Sequence, residues 1–421
     1  MKELYEKIIG ILRHNTKVIE NYFFMTILQI LNSFFYLIIY PYLIHTLGTE
    51  SYGLYVFAYS IIWYFITIVS FGFDMPAVKA IAENSKDNKT KEKVLSCIFT
   101  AKIYLEIISL LIFTGIILTI PIMRSNWIIY YILFTITLTN ILFPQWYFQG
   151  MQKMRMVTLI QLGYKLLSLP IIFLLVKSAD DLWIFATIIA ASSLSGAFTA
   201  MIIIRFKENL KISLQPFSEL KSWYKDGLPF FLSLGGGILK EQSVVQIIGI
   251  FLGMSDVAIY DLANKIILLP RALLSSVNGA IFPKIITNLR ENIVKQIMRA
   301  QIFIGLAVIA AVAIFGKFAV KILGGITMLN SYPVAIILSI TVLMYLVVGT
   351  IHYFIFIPKN KYYYITQNQI VAIAVFVSLA AIGLFYFKNV YILAVAMALS
   401  SVSELVFCSL LTNKLKNKKK K

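Results

Sequence analysis

Charge is scarce in this sequence. Charged side chains make up 14% of its 421 residues, where soluble chains carry about 25%. So few charges cannot build a water-facing surface, which excludes an ordinary soluble domain. Acidic residues number only 19, against 38 lysines and arginines. Cysteine is nearly absent: Cys97 and Cys408 have neither pair spacing nor nearby histidines, which excludes a disulfide framework and a zinc centre. His14, His45 and His352 are scattered and read as packing or interface residues. No Gly-Lys-Ser/Thr closes a phosphate loop, and no nucleophile–base pattern occurs. These absences speak against an enzyme and against any metal or cofactor. The first apolar run, Tyr22 to Ile44, is longer than the core of a cleaved signal and lacks a small-residue cleavage site.

Apolar residues are what the chain has instead: 59% of the total, with a mean hydropathy of +0.83. They come in runs long enough to cross a bilayer, which takes about 20 residues each. The fold class read from this is an all-α integral membrane protein. Twelve spans are expected, roughly at 19–44, 53–73, 95–120, 127–148, 157–176, 183–204, 228–252, 257–282, 300–322, 333–357, 366–387 and 390–412. Residues 1–18, with the amphipathic piece Leu4 to Leu12, are expected on the cytoplasmic surface. With Lys317 and Lys321, at the outer end of the ninth span, counted on the outer side, lysines and arginines number 28 on one side and 5 on the other, with 5 more inside spans. The positive-inside rule then puts both termini in the cytoplasm. The lysine-rich tail 413–421 is explained by topology and lipid headgroups, so the net charge of +19 implies membrane lipids and no nucleic acid.

The chain repeats itself. Leu47-Gly48, Gly53, Tyr55 and Ala58 recur as Leu252-Gly253, Ala258, Tyr260 and Ala263, an offset of 205 residues. Each Gly is expected to end a helix in the left-handed conformation. The small residue should admit a close neighbour, and the Tyr should sit at headgroup level. The offset equals six spans, an even number, so the halves share one orientation. The architecture expected is two six-helix lobes, 19–204 and 228–412, joined by a cytoplasmic linker at 205–227. They would be related by a parallel pseudo-two-fold axis with a cavity between them.

At these residues the chain resembles a known family. Pro41-Tyr42-Leu43, Leu47-Gly48 and Gly53-Leu54-Tyr55 look like the first hairpin of Wzx-type polysaccharide flippases of the multidrug/oligosaccharidyl-lipid/polysaccharide (MOP, MATE-like) exporter superfamily. Phe71-Gly72-Phe73, Ala77 to Ala82, Leu228-Pro229-Phe230-Phe231-Leu232, Ile259-Tyr260 and Ile281-Phe282-Pro283-Lys284 are similar as well. The resemblance covers essentially the whole chain. It implies translocation of undecaprenyl-diphosphate-linked oligosaccharide units from the cytoplasmic to the outer leaflet by alternating access, for O-antigen, capsule or exopolysaccharide assembly. A polysaccharide polymerase and a chain-length regulator are implied partners. In one departure, His45 stands where many relatives place Arg.

Charges inside spans mark pathways by default. Lys240 and Glu241 are adjacent, about 100° apart on a helix, so each needs a partner elsewhere. Arg271 has no acidic neighbour within a turn. Lys165 is deep in the fifth span. Lys240, Arg271, Lys265 and Lys165 are therefore the anion-binding candidates. Asp261 and Lys265 have the favourable i,i+4 order and read equally as a structural clasp. Glu404, Glu241 and Glu106 are the candidates for H+ or Na+ coupling. Lys102 and Glu106 form a second i,i+4 pair near the cytoplasmic end, where snorkelling also explains Lys102. Gly235, Gly236 and Gly237 read either as close helix packing or as a hinge. The many Tyr and Phe suit sugar rings and isoprenoid tails, and equally ordinary packing. Competing readings are a cation-coupled drug antiporter of the same superfamily, a membrane polymerase or glycosyltransferase, and an assembly scaffold. Short outer loops disfavour the enzyme, buried charges disfavour the scaffold, and three cations against two anions in spans seven and eight disfavour the antiporter.

Overall fold

A computed structural model describes residues 16–286, 291–359 and 361–417. The expected surface piece Leu4 to Leu12 and the last four lysines lie outside the described residues. Within them the chain is helical and contains no strand. Helix α1, Thr16–Ser70, spans 55 residues and takes in both of the first two expected spans. At 1.5 Å per residue it exceeds two bilayer thicknesses. Its break is Gly48 (φ +74°), a backbone conformation that costs glycine nothing and a side-chain-bearing residue about 1–2 kcal/mol. A turn at Phe71 and Gly72, both at positive φ, leads to α2, Asp74–Glu83. Helix α3 follows at Asn88–Thr119, N-capped by the Asp87 carboxylate, which accepts from the Lys89 amide.

The expected fourth span is not one helix. Short helices α4 (Pro121–Ser125) and α5 (Trp127–Phe134) run into a 3₁₀ turn at Thr135–Leu138, then α6 (Thr139–Leu142) and α7 (Gln145–Gly150). The cause is local. Thr135, Thr137 and Thr139 each donate to the carbonyl three residues back, and Pro144 has no N–H to continue the ladder. Then come α8 (Met154–Leu175), α9 (Leu182–Ile202), α10 (Phe217–Phe251) and α11 (Met254–Ile286). The last four are α12 (Glu291–Gly324), α13 (Ser331–Ile351), α14 (Tyr362–Tyr386) and α15 (Val390–Asn417).

Among the described residues, 9 helical segments are long and apolar enough to cross a membrane. The protein is a multi-pass membrane protein. The first segment, Phe23–Ser70, is long enough for two crossings. Helices α10 and α11, at 35 and 33 residues, are also long enough to cross and carry Lys240, Glu241, Asp261, Lys265 and Arg271 within their expected spans.

The helices gather into two compact units. The first comprises the described residues up to Phe35 together with Ile62–Val176 and Trp183–Phe231. Its core packs Phe73, Ala77 and Ile81 of the α2 region against Cys97, Ala101, Tyr147 and Phe148. Two segments of the family resemblance meet here. Phe71 stacks on Phe231 at 4.8 Å between ring centroids, and a Cβ on Gly72 would come within 2.7 Å of the Gly227 carbonyl oxygen. The second unit comprises Tyr36–Ile61, Lys177–Leu182 and the described residues from Leu232 onward. Helix α13 is its most buried element. Ser331, Ser339 and Thr350 lie at zero exposure beside small and β-branched apolar residues, the composition that close packing inside a membrane requires.

Candidate functional site

Among the described residues, three ion pairs occupy the second unit, and each uses a charge from α10 or α11. On α11, Asp261 and Lys265 pair one turn apart, the clasp expected from their spacing. The clasp is caged. Tyr52 donates to Asp261 at 2.8 Å and accepts from Lys265 Nζ at 2.9 Å. The same ammonium stands 5.5, 5.4 and 5.5 Å from the ring centroids of Tyr36, Tyr40 and Tyr52, within cation–π range. Sequence reasoning missed this cage, although its signal was present. Tyr36 and Tyr40 are i,i+4, and Tyr52, Tyr55 and Tyr59 are i,i+3,i+7, so each set lies on one helix face.

Lys240 finds its partner in Glu404 on α15. Their side chains are 8% and 12% exposed, so this pair is dry. Arg271 finds Glu241 at 2.8 Å and lies 4.3 Å from the Tyr345 ring centroid. This pair is more open, at 26% and 41% exposure. Glu404 also lies within electrostatic reach of Arg271. Lys240, Glu404, Arg271 and Glu241 thus make a four-charge set of alternating sign. It joins the two cations expected to hold an anion to two of the three carboxylates expected to carry an ion. With Asp261 and Lys265 included the set is balanced three against three. The excess of cations counted along α10 and α11 alone disappears once Glu404 closes on Lys240.

The remaining candidates lie in the first unit. Lys165 donates to Asn32 Oδ1 at 2.7 Å and stands 5.5 Å from the Phe35 ring centroid. The expected Lys102–Glu106 pair is corrected. Lys102 Nζ turns to Asp74 at 3.2 Å and to the Asn140 carbonyl at 3.1 Å, while Glu106 meets Thr137. With the base N-terminal, the helical pair is weak, and the lysine reaches a more exposed carboxylate instead.

The two matched turns also take shape. Gly48 and Gly253 have φ of +74° and +110°, the positive φ that favours glycine, but with ψ of 171° Gly48 departs from the left-handed helical cap expected of it. A Cβ on Gly53 would collide with the Met254 backbone. Thr49 and Ser255 share a hydrogen bond of 2.9 Å, Ser255 donates to Glu50 at 3.0 Å, and Tyr40 donates to the Ala258 carbonyl at 3.3 Å. The turns are therefore bonded to each other. Tyr55 and Tyr260, expected at headgroup level, are buried and serve as packing residues. The glycine run sits inside the unbroken helix α10. Gly237 has nothing within 4 Å of an added Cβ, and for Gly236 the nearest atom is Gln369 Cβ at 3.7 Å. Close packing does not require glycine at either position.

Comparison with known proteins points one way. The sequence pattern of a family described as "Polysaccharide biosynthesis protein" matches residues 18–289. A protein of Escherichia coli (strain K12) named "Putative O-antigen transporter" is 28% identical over 282 residues, covering 66% of this chain and 67% of that one. A Shigella dysenteriae protein of the same name is 26% identical over 258 residues, covering 60% and 64%. The match thus spans about two thirds of these relatives' length. A solved structure described as the inward-facing conformation of a multidrug resistance MATE family transporter of the MOP superfamily superposes with a TM-score of 0.68. It is 15% identical and covers 93% of this chain and 99% of that one. At that identity the likeness speaks for the fold. These findings bear out the resemblance read from the hairpin motifs.

Proposed function

The chain belongs to the polysaccharide biosynthesis protein family, and on that premise we propose that it is a flippase for lipid-linked oligosaccharides in a bacterial inner membrane. The substrate is an undecaprenyl-diphosphate-linked repeat unit, moved from the cytoplasmic to the outer leaflet by alternating access. Twelve spans, two lobes (19–204 and 228–412) in parallel repeat and cytoplasmic termini complete the reading. A polymerase and a chain-length regulator would take up the product.

The observation that carries the proposal is the alternating four-charge set within the membrane span. A diphosphate leaving water needs cations to replace its hydration, and a cation kept in a membrane needs a counter-ion while the site is empty. Arg271 and Lys240 meet both needs by exchange. The diphosphate displaces Glu241 from the more open Arg271 first, and then Glu404 from the drier Lys240. Arg271 is suited to the first step because its planar fork binds phosphate bidentately. Lys265, caged by tyrosines, and Lys165, held by Asn32, are placed for secondary contacts to the head group.

A cation-coupled drug antiporter is the second reading, and the charge balance keeps it open. A neutral set does not repel a cationic drug as a cationic set would, and the MATE-like fold serves both activities. The experiment that separates them is deletion of the gene, followed by sidedness analysis of lipid-linked repeat units. The flippase reading expects the units to accumulate on the cytoplasmic leaflet, with unchanged drug susceptibility. Units that still reach the outer leaflet contradict it.

A further inference from the structure

Glu106, near the middle of α3, has a bonding pattern that an ionised carboxylate cannot satisfy. Its Oε1 lies 2.5 Å from Thr137 Oγ1, and the same hydroxyl lies 2.6 Å from the Phe134 carbonyl oxygen. A threonine hydroxyl has one hydrogen, whereas a backbone carbonyl and a carboxylate only accept. One hydrogen can be shared at longer range, as Thr158 shares its own between the Phe24 and Met154 carbonyls at 3.0 Å each, but contacts of 2.5 and 2.6 Å are too short for one hydrogen to fill both. The unfilled one would press two lone-pair-bearing oxygens together at hydrogen-bond distance.

The conflict vanishes if Glu106 carries a proton. Its Oε1–H then donates to Thr137, and Thr137 donates to Phe134. The second oxygen, Oε2, fits the same account. It is buried and has no hydrogen-bond partner in a residue only 8% exposed. An unpartnered buried oxygen is far less costly in a neutral acid than in an anion. The charged neighbours offer no compensation. Lys102, one turn away, is committed to Asp74 and to the Asn140 carbonyl. On the neighbouring segments, Tyr131 of α5 donates to Thr114 at 3.0 Å, whereas Tyr130 of α5 and Ser109 of α3 are buried. The hydroxyls of both are without a partner among the described residues.

We infer that Glu106 is a proton-binding site, loaded at rest, and that the transporter exchanges this proton during its cycle. The exchange half of the statement rests on the transport reading above; the loading half does not. On release, the Oε1–H bond breaks and the proton passes to water. The new carboxylate then accepts from Thr137, whose hydrogen leaves the Phe134 carbonyl. This separates Glu106 from Glu241 and Glu404, which have cationic partners in Arg271 and Lys240.

The test begins with infrared spectra of the purified protein in lipid nanodiscs at neutral pH, taken as wild type minus Glu106→Gln. A protonated-carboxyl C=O band, shifted in D2O and missing from the variant, is expected. Its absence overturns the proposal. If Glu106→Gln does not accumulate, Thr137→Val serves instead: it removes the acceptor of the Oε1–H, so the band should move, and an unmoved band overturns the assignment. In a deletion strain, Glu106→Gln should reach wild-type abundance and yet export no repeat units, because glutamine cannot release a proton. Full export overturns the exchange. The infrared arm reads the site whatever the substrate is, so an error about lipid-linked sugars would not be mistaken for an error about Glu106.

Discussion

Cutting Lys240 back to alanine would strand the Glu404 carboxylate in a dry helix interface. Breaking a buried pair in this way costs roughly 3–5 kcal/mol in soluble proteins. Loss of export by Lys240→Ala alone therefore says little about substrate, because the protein will itself be destabilised. The informative variant is Lys240→Ala combined with Glu404→Gln. Thermal unfolding of the purified protein should show most of the lost stability restored by the second change, while export stays absent. Recovery of both would reduce the pair to a structural role. The same residues show what sequence reading can reach. Asp261 and Lys265 are one helical turn apart, and their pairing was legible because α-helix geometry dictates it. Lys240 and Glu404 are 164 residues apart, and no spacing rule connects them. The spacing of Lys102 and Glu106 was readable, but their pairing failed, since Asp74 and Thr137 are brought close only by the turns after α1 and within the threonine-rich break.

At the scale of elements, the glycine run of α10 becomes a sharper problem than its sequence presented. Three glycines cost a helix up to about 1 kcal/mol each relative to alanine, and the packing explanation fails for Gly236 and Gly237, which have room for a methyl group. The hinge explanation remains. Replacing Gly235, Gly236 and Gly237 together with alanine should raise the melting temperature by several degrees and lower export at least tenfold. A stabilised variant with full export would reject the hinge. Gly53 makes the opposite case within the same unit, because a side chain there meets the Met254 backbone. Gly53→Val should destabilise the protein by about 1–3 kcal/mol, as overpacking does, which differential scanning of the purified variant would register. The helices themselves were legible as apolar runs. The breaks in the fourth span were not, since they depend on three threonines bonding backward and a proline following them. The pairing of the two matched turns was invisible for the same reason as Lys240 and Glu404: it joins residues about 205 positions apart.

For the whole molecule, the twelve-span topology makes a prediction in which every loop is a separate trial. The 28 to 5 distribution of lysine and arginine would place Ser125, Asp180 and Lys388 outside the cell and Lys86 and Lys211 inside. All five are exposed, so a cysteine at any of them can meet a reagent. The two native cysteines are buried, at 1% and 0% exposure, and will contribute little background. A membrane-impermeant maleimide applied to intact cells should label Ser125→Cys, Asp180→Cys and Lys388→Cys. Lys86→Cys and Lys211→Cys should be labelled only after permeabilisation. The charged pair of helices, α10 and α11, is the critical region, because five charges fall within their expected spans. If only one of the two crossed, everything after it would invert, and Lys388→Cys would change sides while Ser125→Cys and Asp180→Cys held theirs. A parallel repeat needs an even number of crossings between its halves. Labelling of Lys388→Cys from outside, together with protection of Lys211→Cys, would therefore exclude a single crossing by α10 and α11 and support the common orientation of the two lobes on which alternating access depends.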